Sequence, residues 1–450
     1  MSKPIHIAFI SPKGPLYRHK TGIFKKALRP APLTFSTLAS LVPPELEITM
    51  EVLDEGIEDL DPAKVQADLV AMTAITGSAN RAYEIASVLR QRSIPVVIGG
   101  PHPTLAPEDA APHVDCVVTG YAEETWPELL RDFARGEMKS RYDMDPDFTF
   151  AGYIKRHGAL PLPRREVMKK SGYRTLDTFE ATRGCVHDCD FCVVPHAWGR
   201  RPFLKPVDYV IADIKSRKAR KLLFYDLNII ANRAHAAELF EALVPLKVKW
   251  YGLATALMGR DPELLELAAR SGCKGLLVGF ESVSPESLAD FHKRFNDPTL
   301  YTDFIRDLQS LGIAINGTFA FGSDGDTKES FAAVADFCNE QRIELPRFSI
   351  LTPFPGTKLH ERLDGEGRLL HKDWSLYDGQ HVVFQPRNMS PGELWDGHRK
   401  VWEEVYSMKS VLHRIKGKKQ SYAFMLAANM AYRFYAHKLH TFYNCDGGLP

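Results

Sequence analysis

The chain has seven cysteines, and three of them lie within eight residues: Thr182-Arg-Gly-Cys185-Val-His-Asp-Cys189-Asp-Phe-Cys192. The spacing is C-x3-C-x2-C. Thiolates are soft ligands suited to iron–sulfur chemistry. Three on one loop can hold three irons of a cubane cluster. The next cysteine, Cys273, is 81 residues on, so the fourth iron stays open. A catalytic cluster needs such an opening, because a substrate must coordinate there. The competing chemistry is zinc. Structural zinc sites usually pair two C-x2-C units, and here only His187 or His196 stands close enough in sequence to complete one.

Alternating strand and helix signals surround this loop. Short apolar runs at Ile5–Ile10, Ile48–Asp54, Leu69–Ala74, Pro95–Ile98 and Val114–Thr119 predict strands. Helices are predicted over about Asn80–Arg92 and through Trp126 and Leu130. The pattern predicts an α/β, doubly wound, Rossmann-like (flavodoxin-like) domain over residues 1–145. Residues 146–175, with scattered prolines and little periodicity, predict a linker. A second series over 176–360 has strand candidates Thr178–Thr182, Leu222–Tyr225, Trp250–Ala254, Gly275–Phe280, Ile315–Phe321 and Phe348–Thr352. Helical patterns such as Pro262–Arg270 and Leu300–Leu311 separate them. Six βα units predict a partial (βα)6 TIM-type barrel, whose chemistry sits at the carboxyl ends of its strands. The cysteine loop directly follows the first of these strands. Residues 361–450 predict a mainly helical region, with amphipathic helices at Pro391–Met408 and Tyr422–Phe442. For the second of these a tertiary or dimer contact is favoured over a membrane surface, because it is not strongly basic on one face.

In a doubly wound sheet, ligands bind at the carboxyl ends of the strands. Three loops there carry small residues: Thr76-Gly77-Ser78, Gly99-Gly100, and Gly120 followed by Glu123 and Glu124. Small residues let a large flat cofactor approach the backbone. They also suit any tight turn.

Composition excludes several classes. Among 450 residues, Lys plus Arg is 57 and Asp plus Glu is 56, a net charge of +1. That balance gives no basis for a bulk nucleic-acid or anionic-membrane binder. Seven cysteines are too few for a disulfide scaffold. No secretory signal and no run of about 18–20 apolar residues occurs. The expectation is a cytoplasmic protein with reduced thiols and no transmembrane segment.

With an aromatic before its last cysteine, the C-x3-C-x2-C loop resembles the radical S-adenosylmethionine (SAM) superfamily. A doubly wound domain ahead of such a barrel resembles the cobalamin (B12)-binding-domain-containing radical SAM enzymes. The methylthiotransferases, which carry three more N-terminal cysteines, do not match, because only Cys116 precedes residue 185. The resemblance implies a [4Fe-4S] cluster on Cys185, Cys189 and Cys192, with SAM on the fourth iron. Phe191 is placed near the adenine or in core packing. Glu281 and Ser282 after the fourth barrel strand are implied SAM contacts, with a salt bridge as the alternative role for Glu281. Asp226 stands where the superfamily has a Gly-Gly-Glu element, here without the glycines. Thr318 and Thr352-Pro-Phe-Pro-Gly356 also face the rim. Thr76, Gly77, Ser78, Gly99, Gly100, Gly120 and Glu123 are implied at the cobalamin.

No D-x-H-x2-G occurs in residues 1–150, so no motif histidine is implied below the cobalt. His102 is expected to cap its own turn, and Asp396-Gly-His398 to be a surface element. The stretch Asp373–His381 resembles one found after the barrel in this group, its aromatics lining the substrate mouth or docking the C-terminal helices.

The implied activity is methylation of an unactivated carbon through a 5′-deoxyadenosyl radical and methylcobalamin. The implied partners are a small-molecule, lipid-like or tetrapyrrole substrate and a flavodoxin- or ferredoxin-type reductant, with no nucleic acid. Two alternatives remain open at this point: a non-methylating oxidoreductase or cyclase with the same cofactors, and a non-catalytic iron–sulfur or cobalamin-binding protein.

Overall fold

The structure is a computed structural model describing residues 4–14, 30–293, 295–418 and 422–438. Six parallel strands form the N-terminal sheet: β1 (Ile5–Ser11), β2 (Ile48–Asp54), β3 (Leu69–Thr73), β4 (Val96–Gly99), β5 (Cys116–Thr119) and β6 (Arg141–Asp143). Their order is β2-β1-β3-β4-β5-β6. Such a sheet is covered on both faces, which explains its unbroken apolar runs. In β1, Ile7 and Phe9 enter one core while Ala8 and Ile10 enter the other. The helix Ala79–Gln91 buries Ala82, Ile85, Ala86 and Leu89, at helical spacing, on the second face.

The segment expected to be a linker is folded. A helix, Phe150–His157, starts where Thr149 accepts a hydrogen bond from the Gly152 amide. Phe148, Phe150 and Tyr153 then join the N-terminal core beside Tyr121 and Phe203. β6, just before it, was also not foreseen, because three residues are too few to show a period.

The second sheet contains β7 (Thr178–Phe179), β10 (Lys221–Phe224), β11 (Lys249–Ala254), β12 (Cys273–Glu281), β13 (Ala314–Phe321) and β14 (Arg347–Ile350), in sequence order and all parallel. It is the open barrel the six units predict. The expected strand Thr178–Thr182 divides into β7 and a separate strand β8 (Thr182–Arg183). β8 pairs antiparallel with β9 (Phe203–Leu204).

The barrel strands bury one face only. Trp250, Leu276, Val278, Ile315, Phe319 and Phe348 pack outward against the helices. Their neighbours Tyr251, Leu253, Leu277 and Asn316 lie outside that core, are half-buried, and face the barrel interior. Leu253 and Asn316 flank Leu277 in register.

Past the barrel, residues 371–384 form a strap. The Ile350 amide donates to the Gly379 carbonyl at 2.7 Å, which continues the barrel edge beyond β14. The same segment sends Trp374, Tyr377 and Val383 into the second core of the N-terminal domain. The aromatics of Asp373–His381 therefore dock the two domains together rather than the C-terminal helices. Three helices follow: Pro391–Val405, Met408–Ile415 and Tyr422–Ala436. The first expected helix, Pro391–Met408, ends at Val405, and Ser407 caps a new one by accepting from the Ser410 amide. Residues 439–442 of the second expected helix lie outside the described residues. His398 is not a surface element: it is 1% exposed, beside Trp402 and the Phe348 carbonyl.

Candidate active site

The cysteine loop hangs between β8 and β9. Gly184 opens it at φ +79°, and a Cβ there would lie 2.5 Å from the Arg201 carbonyl oxygen, so only glycine makes this turn. Asp226, directly after β10, is fully buried. Its carboxylate accepts from the Thr182 amide at 2.6 Å and the Ala181 amide at 3.0 Å. Burial, with Glu180 nearby, pushes its carboxyl up to about 7 despite these bonds. Asp226 thus anchors the backbone leading into the loop.

Cys185, Cys189 and Cys192 are free thiols. Burial pushes Cys189 up to about 12 and Cys192 up to about 11. The neighbouring thiols raise both further while Lys293 lowers them, which puts all three cysteines and Lys293 in one electrostatic neighbourhood. Soft thiols held together on one loop, neutral until a cation pulls off their protons, fit an iron–sulfur cluster. Among the described residues, no three His, Cys, Asp or Glu side chains converge on a point where one ion would sit.

Other expected residues are already engaged within the chain. The Glu281 carboxylate pairs with Lys293 at 2.7 Å, the salt-bridge alternative, from a left-handed backbone at φ +64°. Lys293 also donates to the Gly279 carbonyl at 3.0 Å. Ser282 accepts from the Ser284 amide. Phe191 packs edge-on against Phe291, with ring centres 5.2 Å apart. His187 stacks on Phe295 at 3.8 Å.

The loops at the ends of β3, β4 and β5 show the same self-engagement. Thr76, Gly77 and Ser78 form a buried turn beneath the strap residues Trp374–Leu376. Gly100 sits at φ +101°, where a Cβ would lie 2.6 Å from Thr73 Oγ1; its glycine serves the chain's own turn. At Gly99 an added Cβ meets only ordinary contacts, the nearest at 3.5 Å. Gly120 follows β5. Glu123 is 2% exposed, with its carboxylate on Arg183. Ile75, 55% exposed beside these loops, offers an apolar surface suited to a corrin face. His102 is fully buried, 3.0 Å from both Tyr83 Oη and Asp109 Oδ2.

Several groups had no motif to mark them. The side-chain oxygens of Asn228, Thr255, Asn316 and Gln380 are buried without a partner. They come from β13, from the loops after β10 and β11, and from the strap. Such oxygens are costly unless a ligand or water satisfies them. Lys293 and Lys205 were missed as well, because they act through tertiary contacts.

A doubly wound sheet followed by an open parallel barrel, with three free thiols on the first barrel loop, defines a radical SAM enzyme carrying a cobalamin-type domain. The B12 binding domain matches residues 48–130, the Radical SAM superfamily 179–338, and a domain of unknown function (DUF4070) 357–444. The chain is 34% identical over 404 residues to the bacteriochlorophyllide d C-12(1)-methyltransferase of Chlorobaculum tepidum, covering 86% of this chain and 85% of that one. It is 30% identical over 401 residues to the bacteriochlorophyllide d C-8(2)-methyltransferase of the same organism, covering 85% and 87%. The fold is shared with the radical SAM methyltransferase TsrM of Kitasatospora setae, solved with cobalamin and a [4Fe-4S] cluster. There the TM-score is 0.68 at 16% identity, over 99% of this chain and 100% of that one. The chain belongs to the cobalamin-dependent radical SAM methyltransferases. It is an enzyme whose cofactors are a [4Fe-4S] cluster, SAM and cobalamin. No helix among the described residues is long and apolar enough to cross a membrane.

Proposed function

We propose that this enzyme methylates an unactivated carbon on the periphery of a flat, largely apolar ring system of the tetrapyrrole type. The observation that carries this reading is the open inner face of the barrel. Tyr251, Leu253 and Leu277 line it without joining any core, so an apolar ligand would cover surface the fold leaves wet. The two relatives named above act on bacteriochlorophyllide d, and their chemistry supports the substrate class. When bound, the cofactors supply radical formation and the methyl group.

The chain's own residues position and enclose. Cys185, Cys189 and Cys192 hold the cluster, with Asp226 and Gly184 fixing their loop. Asn228, Thr255, Asn316 and Gln380 orient polar groups at the mouth. The strap, braced by Trp374 on Asp109 at 3.1 Å, closes the gap between the domains and limits water. The N-terminal loops with Ile75, Gly99, Gly100 and Gly120 form the cobalamin face. Electrons come from a flavodoxin- or ferredoxin-type partner. The cytoplasm, where thiols stay reduced, is the compartment this chemistry requires.

The test uses anaerobic, cluster- and cobalamin-loaded enzyme with a reductant, SAM carrying a deuterated methyl group, and bacteriochlorophyllide-type substrates. The expected product carries one intact labelled methyl on carbon. Formation of 5′-deoxyadenosine with an oxidised or cyclised product and no label would establish the non-methylating alternative instead.

A further inference from the structure

The helices Met408–Ile415 and Tyr422–Ala436 bury Val411, Ile415 and Met425 in the core and carry further apolar residues on their outer side. Inside, Asn429 and Arg414 are fully buried. The Asn429 amide donates to the Glu344 and Met425 carbonyls, and Arg414 donates to the Ile343 and Val405 carbonyls. Outside, Tyr422 is 52% exposed, Phe424 46%, Leu412 44% and Met408 41%. A helix on a water-facing surface carries charged or polar residues on its outer side. The one charged residue of Tyr422–Ala436, Arg433, donates to the Tyr406 carbonyl at 2.7 Å.

Along the sequence, the charge of this segment has one sign. From Val405 to Cys445 the sequence has seven Lys or Arg and no Asp or Glu. The whole chain carries +1, so the remainder carries −6. Lys409, His413 and Lys416 are exposed beside Met408 and Leu412, and His437 and Lys438 are exposed at the far end of the last helix.

We propose that these two helices seat the enzyme on an anionic lipid surface, lying in its plane. Apolar side chains flanked by lysines are what an interfacial helix presents to such a surface. A second copy is the poorer occupant. Two-fold pairing through this face would set Lys409 and Lys416 of one chain among the same lysines of the other. The sequence-based objection, that the last helix is not strongly basic on one face, considered that helix alone. The fold adds the lysines of Met408–Ile415 to it. The inference is independent of which substrate the barrel takes.

The experiment is flotation of the full-length, cofactor-loaded enzyme with vesicles of phosphatidylcholine alone or of phosphatidylcholine with phosphatidylglycerol. Binding to the phosphatidylglycerol vesicles, its loss on pure phosphatidylcholine and its release by high salt are expected. Lys409→Gln and Lys416→Gln should each weaken binding about fivefold, and Leu412→Ser should weaken it with cobalamin content unchanged. The Lys variants alter exposed charges only, so the test survives a folding failure of Leu412→Ser. Absence of binding to phosphatidylglycerol vesicles at low salt would overturn the proposal. So would a stable dimer in solution that Leu412→Ser dissociates.

Discussion

Arg183, two residues before Cys185, donates from Nη1 to the Glu123 carboxylate at 2.6 Å, so a buried ion pair ties the N-terminal domain to the cysteine loop. Arg183 Nε also donates to Glu180, which Lys205 pairs at 2.7 Å. Two cations and two anions share this enclosure, and the guanidinium lies over the Tyr121 ring at 4.8 Å. Glu123, implied at the cobalamin, is engaged in this pairing.

Breaking a buried pair on one side leaves an uncompensated charge and costs about 3–5 kcal/mol. Glu123→Ala should therefore destabilise the protein by about that much in urea unfolding. Glu123→Ala combined with Arg183→Met should cost clearly less than the two single changes together. Additive costs would show that the pair is not coupled. Iron content after reconstitution should fall in Arg183→Met, because the loop loses its brace.

Two adjacent glycines separate turn geometry from cofactor approach. At Gly100, with positive φ and Thr73 in the way, Gly100→Ala should cost about 1–3 kcal/mol. Gly99 has room, so Gly99→Ala should keep the melting temperature close to that of the parent. Equal losses in thermal unfolding would contradict the assigned conformations.

How much of this was legible in the sequence follows the same division. The paired cores show as apolar runs in β1 and β3, and the barrel shows as six short strand candidates separated by helical patterns, so both sheets could be read. The cysteine spacing marked the loop. The strap could not be read. Trp374 contacts Asp109 across 265 positions, and no local period encodes that. Asp226 and Glu281 stand at the carboxyl ends of β10 and β12. Their partners, the Ala181 and Thr182 amides and Lys293, were set by tertiary packing. His398 lies on its expected helix, but its burial beside Trp402 and the Phe348 carbonyl is set by tertiary packing.

Burial holds His398 down at about 4 despite the Phe348 carbonyl beside it. An unfolded histidine titrates near 6.5. The folded state therefore takes up this proton less readily. Its stability contribution is intact above pH 6.5 and is lost as the pH falls from 6.5 towards 4. The full loss is about 3 kcal/mol. Denaturant unfolding at pH 7.5 and pH 5 should show the decline, and His398→Gln should flatten the part due to this residue. An unchanged slope in that variant would place the titration elsewhere.

The His102 ring is buried between Tyr83 and Asp109, which leaves it no path to a metal. Burial opposes ionisation of Asp109, but hydrogen bonds from His102, Tyr83 and Trp374 hold it down at about 2. Enzyme-bound cob(II)alamin should accordingly show no nitrogen splitting from His102 in its electron paramagnetic resonance spectrum. His102→Ala should lower stability without changing that spectrum. A three-line nitrogen pattern lost in His102→Ala would contradict the burial assigned to the ring.

The most direct measurement is 5′-deoxyadenosine formed from SAM under reducing, anaerobic conditions, with iron counted in the same samples. The parent enzyme should hold about four irons per chain at the thiolate loop and release 5′-deoxyadenosine. Cys185→Ala, Cys189→Ala and Cys192→Ala should each lose the cluster and all SAM cleavage. Stoichiometric zinc in place of iron, or undiminished 5′-deoxyadenosine from any one of the three variants, would contradict the assignment of this loop as the radical-generating site.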